Sequence, residues 1–194
     1  MQEICILGWG SRAAVASEIL VAAAVNEGKY GNVVPCSGFQ QGVTSARAFV
    51  RIDDQPVRDK TPIDNPHCVI VMDPIIKTVV DIYQGLREMG TVIINENKLP
   101  HELSFPSQVT RMGLVDASQI ALEVLGVEIT HSVMLGAFAK TTGLVSLRAI
   151  SENLAGHFPS HMLKAHKNAA QQGYDSTMVV EIGARVRGEG VRCR

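Results

Sequence analysis

The chain has 194 residues, 46% of them hydrophobic and 19% charged, with 18 lysines and arginines against 19 acidic residues. That length suits one domain, a net charge of −1 with no basic stripe argues against nucleic acid, and a charged fraction below the usual quarter suits a subunit that spends part of its outside against other proteins. The longest apolar run, Ile19 to Val25, falls far short of the roughly 20 residues of a spanning helix, and a signal peptide's basic start is missing, so no membrane insertion and a cytoplasmic location are expected.

The elements follow in chain order. EICIL over 3–7 predicts a strand, GWGSRA a glycine turn, and the apolar pattern over 13–26, closing at Gly28, a helix. Residues 32–44 carry Pro35, Gly38 and Gly42 among small and polar residues and predict an extended loop. ARAFVRI over 46–52 predicts a strand, and DDQP a turn with a short hairpin return at Val57 and Arg58. CVIVM over 68–72 and TVIIN over 91–95 are continuous apolar runs but for the Thr91 and Asn95 ends, as strands covered on both faces must be, with a helical stretch between them ending near Gly90. QVTRMGLVD over 108–116 predicts another strand, with Asp116 placed to cap the helix that follows. Further helices are expected over 132–140, 146–154 and 159 to about 172.

Strands alternating with helices imply an α/β fold, a doubly wound, mainly parallel sheet flanked by helices in the Rossmann-like manner, in one domain over 1–174. Residues 175–194 change to a short β-prone run followed by glycines and Arg185, Arg187, Arg192 and Arg194. This tail is expected to be either disordered or ordered only by a partner.

The strongest local feature for chemistry is Gly8, Gly10 and Arg12 in the first strand-turn-helix, at the edge where helix N–H groups favour an anion. Ala13 takes the third glycine position of a dinucleotide fingerprint, and no acidic residue ends a second strand to hold a ribose, which argues against a free-standing dehydrogenase. The turn then either serves packing alone or meets an anionic ligand together with neighbouring subunits, and Arg12 separates the two. Asp73, ending CVIVM, is either functional or an N-cap for the next helix. His67, His101, His131, His157, His161 and His166 lie in expected loops and late helices without an HExxH, GxSxG or paired-carboxylate motif, so they are read as surface or helix-end residues and no catalytic residue is assigned. Cys5, Cys36, Cys68 and Cys193 form no CxxC, Cys5 and Cys68 read as buried thiols, and no zinc or iron–sulfur site has its ligand spacing here.

EGKY at 27–30, AFVRIDDQPVR at 48–58, NPHCVIVMDP at 65–74, VDASQIALEVLG at 115–126 and above all MLGAFAKTTGLVSL at 134–147 resemble the gamma subunit of the 2-oxoacid:ferredoxin oxidoreductases of the pyruvate synthase type, as do Gly8, Gly10, Pro35 and Gly38. The resemblance implies a complex in which alpha, beta and ferredoxin-like delta subunits hold thiamine diphosphate, Mg2+ and 4Fe-4S clusters. The 2-oxoacid is decarboxylated, its acyl group usually ends on coenzyme A, and electrons leave to ferredoxin or an NAD-linked subunit. This chain is implied to bind no cofactor alone and to be inactive alone. It is implied to face the substrate or coenzyme A with Gly8, Trp9, Gly10, Ser11 and Arg12 and with Gly38, Phe39, Gln40 and Gln41.

Both loops depart from the family pattern. Where the family usually reads GRGGQG, Trp9, Ser11, Arg12 and Ala13 stand here, and where it reads YGAERTGAP, residues 37–45 read SGFQQGVTS. Rewritten loops on a kept scaffold favour specialisation over decay: another 2-oxoacid, such as phenylglyoxylate with Trp9 and Phe39 as flat apolar surface, or oxalate without coenzyme A. The rival is a non-catalytic scaffold subunit, whose glycine turns would be buried away from ligand.

Overall fold

The apolar runs that predict doubly covered strands lie side by side at the centre of one sheet. The computed structural model describes residues 1–34, 45–96, 105–182 and 192–193, with only the backbone of 45, 46, 192 and 193. The elements are β1 (Gln2–Trp9), α1 (Arg12–Asn26), β2 (Tyr30–Val34), β3 (Ser45–Asp53), β4 (Cys68–Val71), α2 (Ile76–Val79), β5 (Gly90–Asn95), β6 (Val109–Val115), α3 (Ala117–Leu125), α4 (His131–Thr142), α5 (Leu147–Asn153), α6 (Leu163–Ser176), β7 (Met178–Glu181) and β8 (Arg192–Cys193). The strand order is β2-β3-β1-β4-β5-β6-β7-β8. The four central strands β1, β4, β5 and β6 are parallel. On one side β3 runs antiparallel to both β1 and β2, and on the other β7 runs antiparallel to β6 and β8 to β7. The α/β class is as the sequence implies, with antiparallel strands added at both edges.

The two faces are covered differently. Ile4, Ile6, Val50, Ile70 and Ile93 pack under α1 and α3 to α6. Leu7, Val69, Val71, Val92 and Ile94, pointing the other way, are buried by Ile76, Ile82 and Leu86 from the segment between β4 and β5. The helix expected there shrinks to α2, because Ile75, Ile76, Thr78, Val79, Val80 and Ile82 are β-branched and lose rotamer freedom in a helix, and Gly85 turns the chain at φ 77°.

That irregular layer is anchored at the amino end of the sheet. Arg51, 1% exposed, donates from Nε to Glu3 at 3.0 Å and from Nη1 to the Asp59 carbonyl at 3.1 Å, while Arg87 Nη2 reaches the other Glu3 oxygen at 2.6 Å. Glu3 N donates to His67 Nδ1 at 3.1 Å. The hairpin return at 57–58 does not form. Instead β3 finds its partners in β1 and in β2, a strand that occupies the start of the expected 32–44 loop. Tyr30 and Val33 are exposed on this edge strand, so it carries no apolar alternation to read.

The expected late helices appear as α4, α5 and α6, with Asp116 capping α3 through Gln119 N at 3.0 Å and Ser146 capping α5 through Ala149 N at 3.1 Å. A Cβ at Gly136 would lie 2.0 Å from the Ala170 carbonyl oxygen, and one at Gly173 2.2 Å from that of Val133, so α4 and α6 touch backbone to backbone. α6 continues to Ser176 and β7 joins the sheet, which moves residues 175–181 out of the expected tail and into the fold. Among the described residues no helix is long and apolar enough to cross a membrane.

Candidate functional site

Parallel strands deliver their C-terminal residues to one edge, and here β1, β4 and β5 bring Trp9, Asp73 and Asn95 there. After β1 the chain turns at Gly10, whose φ of 58° leaves open space where a Cβ would stand. Ser11 precedes α1 without a side-chain cap, though its carbonyl accepts from Val15 N at 3.0 Å. Arg12 opens the helix.

Asp73 decides what this turn can do. Its side chain is no cap for α2. It accepts from Trp9 N at 2.7 Å through Oδ2 and pairs with Arg12 Nη1 through Oδ1. Asp73 is buried, whereas the Arg12 side chain is 30% exposed. A guanidinium carries five N–H donors, and among the described residues this one has no other hydrogen-bonded partner. The arrangement fixes Arg12 by one corner and leaves donors for an incoming anion. Asp73, held by two donors, is poorly placed to act as a base.

Asn95, 1% exposed, was not singled out from sequence although it is the polar residue that ends an otherwise apolar strand. Its Nδ2 donates to the Met72 carbonyl at 2.9 Å and to Ser118 Oγ at 3.0 Å, and its Oδ1 accepts from Ala117 N at 2.9 Å and Ser118 N at 3.2 Å. It joins β4, β5 and the start of α3, so the N-terminus of α3 is already occupied and the edge is rigid. Lys77 and Glu96 form an ion pair beside it.

Two histidines expected at the surface are buried. His131, the first residue of α4, and His166 on α6 are 8% and 0% exposed, and both stack on Phe158, with ring centroids at 5.4 and 3.6 Å. Ser132 Oγ and His166 Nδ1 lie 2.9 Å apart, while His131 Nδ1 and His166 Nε2 are buried without a hydrogen bond. Burial, reinforced by the nearby His166, Arg12 and His157, lowers the His131 pKa to about 4. Burial lowers that of His166 as well. For His131 the sequence signal was the apolar VMLGAFA that follows it, and for His166 it was the small residues Ala169, Ala170 and Gly173 at three, four and seven positions on, which share its helix face.

Of the residues expected to face a ligand, Gly10, Ser11 and Arg12 stand together at the surface of the carboxyl edge. Gly8 is buried, and Trp9, half-buried, packs part of its ring against the second-face cluster instead of offering all of it to a ligand. Gly38, Phe39, Gln40 and Gln41 lie outside the described residues; the chain re-enters the sheet at Ser45, opposite Trp9. Among the described residues no group of three or more His, Cys, Asp or Glu is placed to hold a metal ion. Cys5 and Cys68 are buried on neighbouring strands, and burial pushes the Cys68 thiol up, away from the thiolate that metal ligation needs.

Residues 3–176 match the family model described as pyruvate ferredoxin/flavodoxin oxidoreductase. The chain is 40% identical over 185 residues to the pyruvate/ketoisovalerate oxidoreductases common subunit gamma of Thermococcus litoralis, covering 94% of this chain and 100% of that one. It is 37% identical over 187 residues to the gamma subunit of the NADH-dependent phenylglyoxylate dehydrogenase of Aromatoleum evansii, covering 95% and 98%. The crystal structure of pyruvate oxidoreductase subunit PORC from Thermotoga maritima superposes with a TM-score of 0.74 at 33% identity, over 92% of this chain and 97% of that one.

Proposed function

This chain belongs to the pyruvate ferredoxin/flavodoxin oxidoreductase family, and we propose that it is the gamma-type subunit of a cytoplasmic enzyme that oxidatively decarboxylates a 2-oxoacid. Its partners in this reading are alpha, beta and ferredoxin-like delta subunits, with coenzyme A as the usual acyl acceptor and ferredoxin or an NAD-linked subunit taking the electrons. The thiamine diphosphate, Mg2+ and 4Fe-4S clusters of those subunits supply the decarboxylation and one-electron chemistry. The described residues of this chain do not suit a cluster or a metal, as the raised Cys68 thiol and the lack of a three-residue ligand group indicate.

What this chain's residues do is bind and orient. The observation that carries the reading is Arg12: anchored by buried Asp73 at the carboxyl edge, it offers its remaining N–H donors to an anionic group, either the substrate carboxylate or a coenzyme A phosphate. Gly10 and Ser11 beside it leave the helix N-terminus uncovered by their own side chains. Asn95 keeps this edge from yielding when the ligand arrives. Relatives named for pyruvate, ketoisovalerate and phenylglyoxylate support a 2-oxoacid as the substrate class, and the altered residues 9 and 11–13 support a substrate other than pyruvate.

The test is the purified complex with Arg12→Ala. The apparent KM for the 2-oxoacid or for coenzyme A should rise about tenfold or more, the scale of one charge-assisted hydrogen bond. Pyruvate, 2-oxoisovalerate, phenylglyoxylate and oxalate, each with and without coenzyme A, identify the substrate, and turnover of none of them would overturn the reading. The second reading, a scaffold subunit, is favoured by the internal pairing of Arg12 with Asp73. It requires that Arg12→Ala lower the melting temperature of the complex while leaving both KM values unchanged.

A further inference from the structure

The second face of the sheet carries a cleft of about 500 Å³, within the range of small-molecule sites. Its floor is apolar, made by Cys5 and Leu7 of β1, Phe49 of β3 and Val69 of β4, with Cys5 opposite both Phe49 and Val69 in the register. One wall is residues 62–66 and the other residues 81–85, closed by Ile82.

The walls are tied to each other, so the cleft is preformed. Arg87 N donates to the Pro66 carbonyl at 3.0 Å and Arg87 Nε to that of Asn65 at 2.7 Å. Gly85, at φ 77°, lies so close that a Cβ there would stand 2.3 Å from the Asp64 carbonyl oxygen. Three exposed charges border the cleft: Arg47, next to Leu7 in the register, and Asp64 and Asp81 on the two walls. None of them takes part in an ion pair among the described residues. One cation against two carboxylates does not suit a phosphate or a nucleotide, and a purely apolar ligand would leave the three without a partner of opposite charge, Asp81 accepting only from Tyr83 N at 3.0 Å.

We propose that this cleft binds a free α-amino acid with a large apolar side chain: its carboxylate on Arg47, its ammonium on Asp64 or Asp81, and its side chain on the floor of Leu7, Phe49 and Val69. The ligand matches the cleft in combining an apolar body with charges of both signs. The site lies on the sheet face away from α1 and is independent of the reaction proposed above.

Binding is read by equilibrium dialysis, with the fluorescence of Trp9, the single tryptophan of the chain, followed alongside because it lies two residues beyond Leu7 on the same face of β1. L-phenylalanine titrated into the full chain should saturate at about 1 mM or below. Removing the carboxylate (2-phenylethylamine), removing the ammonium (3-phenylpropanoate) or introducing Arg47→Gln should each weaken binding about tenfold or more. In Arg47→Gln, phenylalanine and 2-phenylethylamine should bind alike, which a general loosening of the fold would not produce. Equilibrium dialysis with the assembled complex should give the same affinity. The proposal is overturned by the lack of saturable binding of phenylalanine or leucine, by binding that Arg47→Gln leaves unchanged, or by binding to the single chain that disappears in the complex, which would make the cleft a partner's seat.

Discussion

Lowering the pH from 8 to 5 should destabilise this chain through His131, and the amount follows from its burial. In the unfolded chain a histidine titrates near 6.5, while in the fold its pKa is lowered to about 4 by burial against Phe158 and then by the neighbouring His166, Arg12 and His157, the last of which faces Glu18. The unfolded state therefore binds the extra proton between those two values, so the stability owed to neutral His131 is complete above pH 6.5 and is lost as the pH falls towards 4. At about 1.4 kcal/mol per pH unit, the 1.5 units from 6.5 to 5 cost about 2 kcal/mol. For a chain of this size that is a fall in melting temperature of roughly 4–8 °C. Urea unfolding of the wild type and of His131→Gln at pH 8, 6.5 and 5 measures it. The variant has its own cost at pH 8, but the gap between the two proteins should narrow by about 2 kcal/mol at pH 5, because only the wild type loses this term. Asp53, Asp59 and Glu152, whose pKa values lie below the ordinary carboxylate range through hydrogen bonds and neighbouring charge, titrate alike in both proteins and cancel. Parallel pH dependence in the two proteins would refute the argument.

Gly136→Ala should cost about 1–3 kcal/mol, since the new Cβ falls 2.0 Å from the Ala170 carbonyl oxygen and α4 must move off α6; Gly156→Ala, which meets open space, should stay within about 0.5 kcal/mol, and equal melting temperatures for the two variants would contradict the close contact. Arg51→Met should cost about 3 kcal/mol, the lower end for breaking a buried pair, because Glu3 keeps Arg87 at 2.6 Å. Adding Glu3→Leu should recover most of that loss in denaturant unfolding. A double variant no more stable than Arg51→Met alone would show that the cost lies in the lost contacts to Asp59 and Thr61 and not in the stranded carboxylate.

The centre of the fold was readable because CVIVM and TVIIN carry a pattern that only a doubly covered strand needs. The edges were not. β2 has two exposed residues and little apolar alternation, and the place of β7 depends on pairing with β6, far away in sequence, which local pattern does not encode. The segment after Pro74 is apolar enough for a helix but too β-branched to stay one beyond Val79. In the candidate site, the turn at Gly8 to Arg12 was legible because glycines between a strand and a helix have few other uses. Asp73 was left between two roles, because its choice of Arg12 and Trp9 N over α2 depends on β1 and β4 ending side by side. His131 and His166 were misplaced for a different reason: an imidazole is read as polar, yet neutral and stacked on Phe158 it packs as an aromatic.

The segments that most resemble the family and the segments that depart from it fall on different parts of the molecule. MLGAFAKTTGLVSL is α4 and its exit, constrained by the backbone contact at Gly136. AFVRIDDQPVR contains Arg51, whose buried guanidinium ties the irregular layer to Glu3. These are demands of packing, indifferent to which ligand the enzyme takes, so they identify the family without specifying its substrate. The departures at Trp9, Ser11 and Arg12 sit at the carboxyl edge, where a change costs the core little because Gly10 and Ser11 are exposed and Arg12 brings its charge beside an Asp73 that also receives Trp9 N. Under the proposed function, a change of 2-oxoacid would fall on Arg12 and its neighbours without disturbing α4 or Arg51, and substitutions in the resembling segments would change stability before they changed specificity.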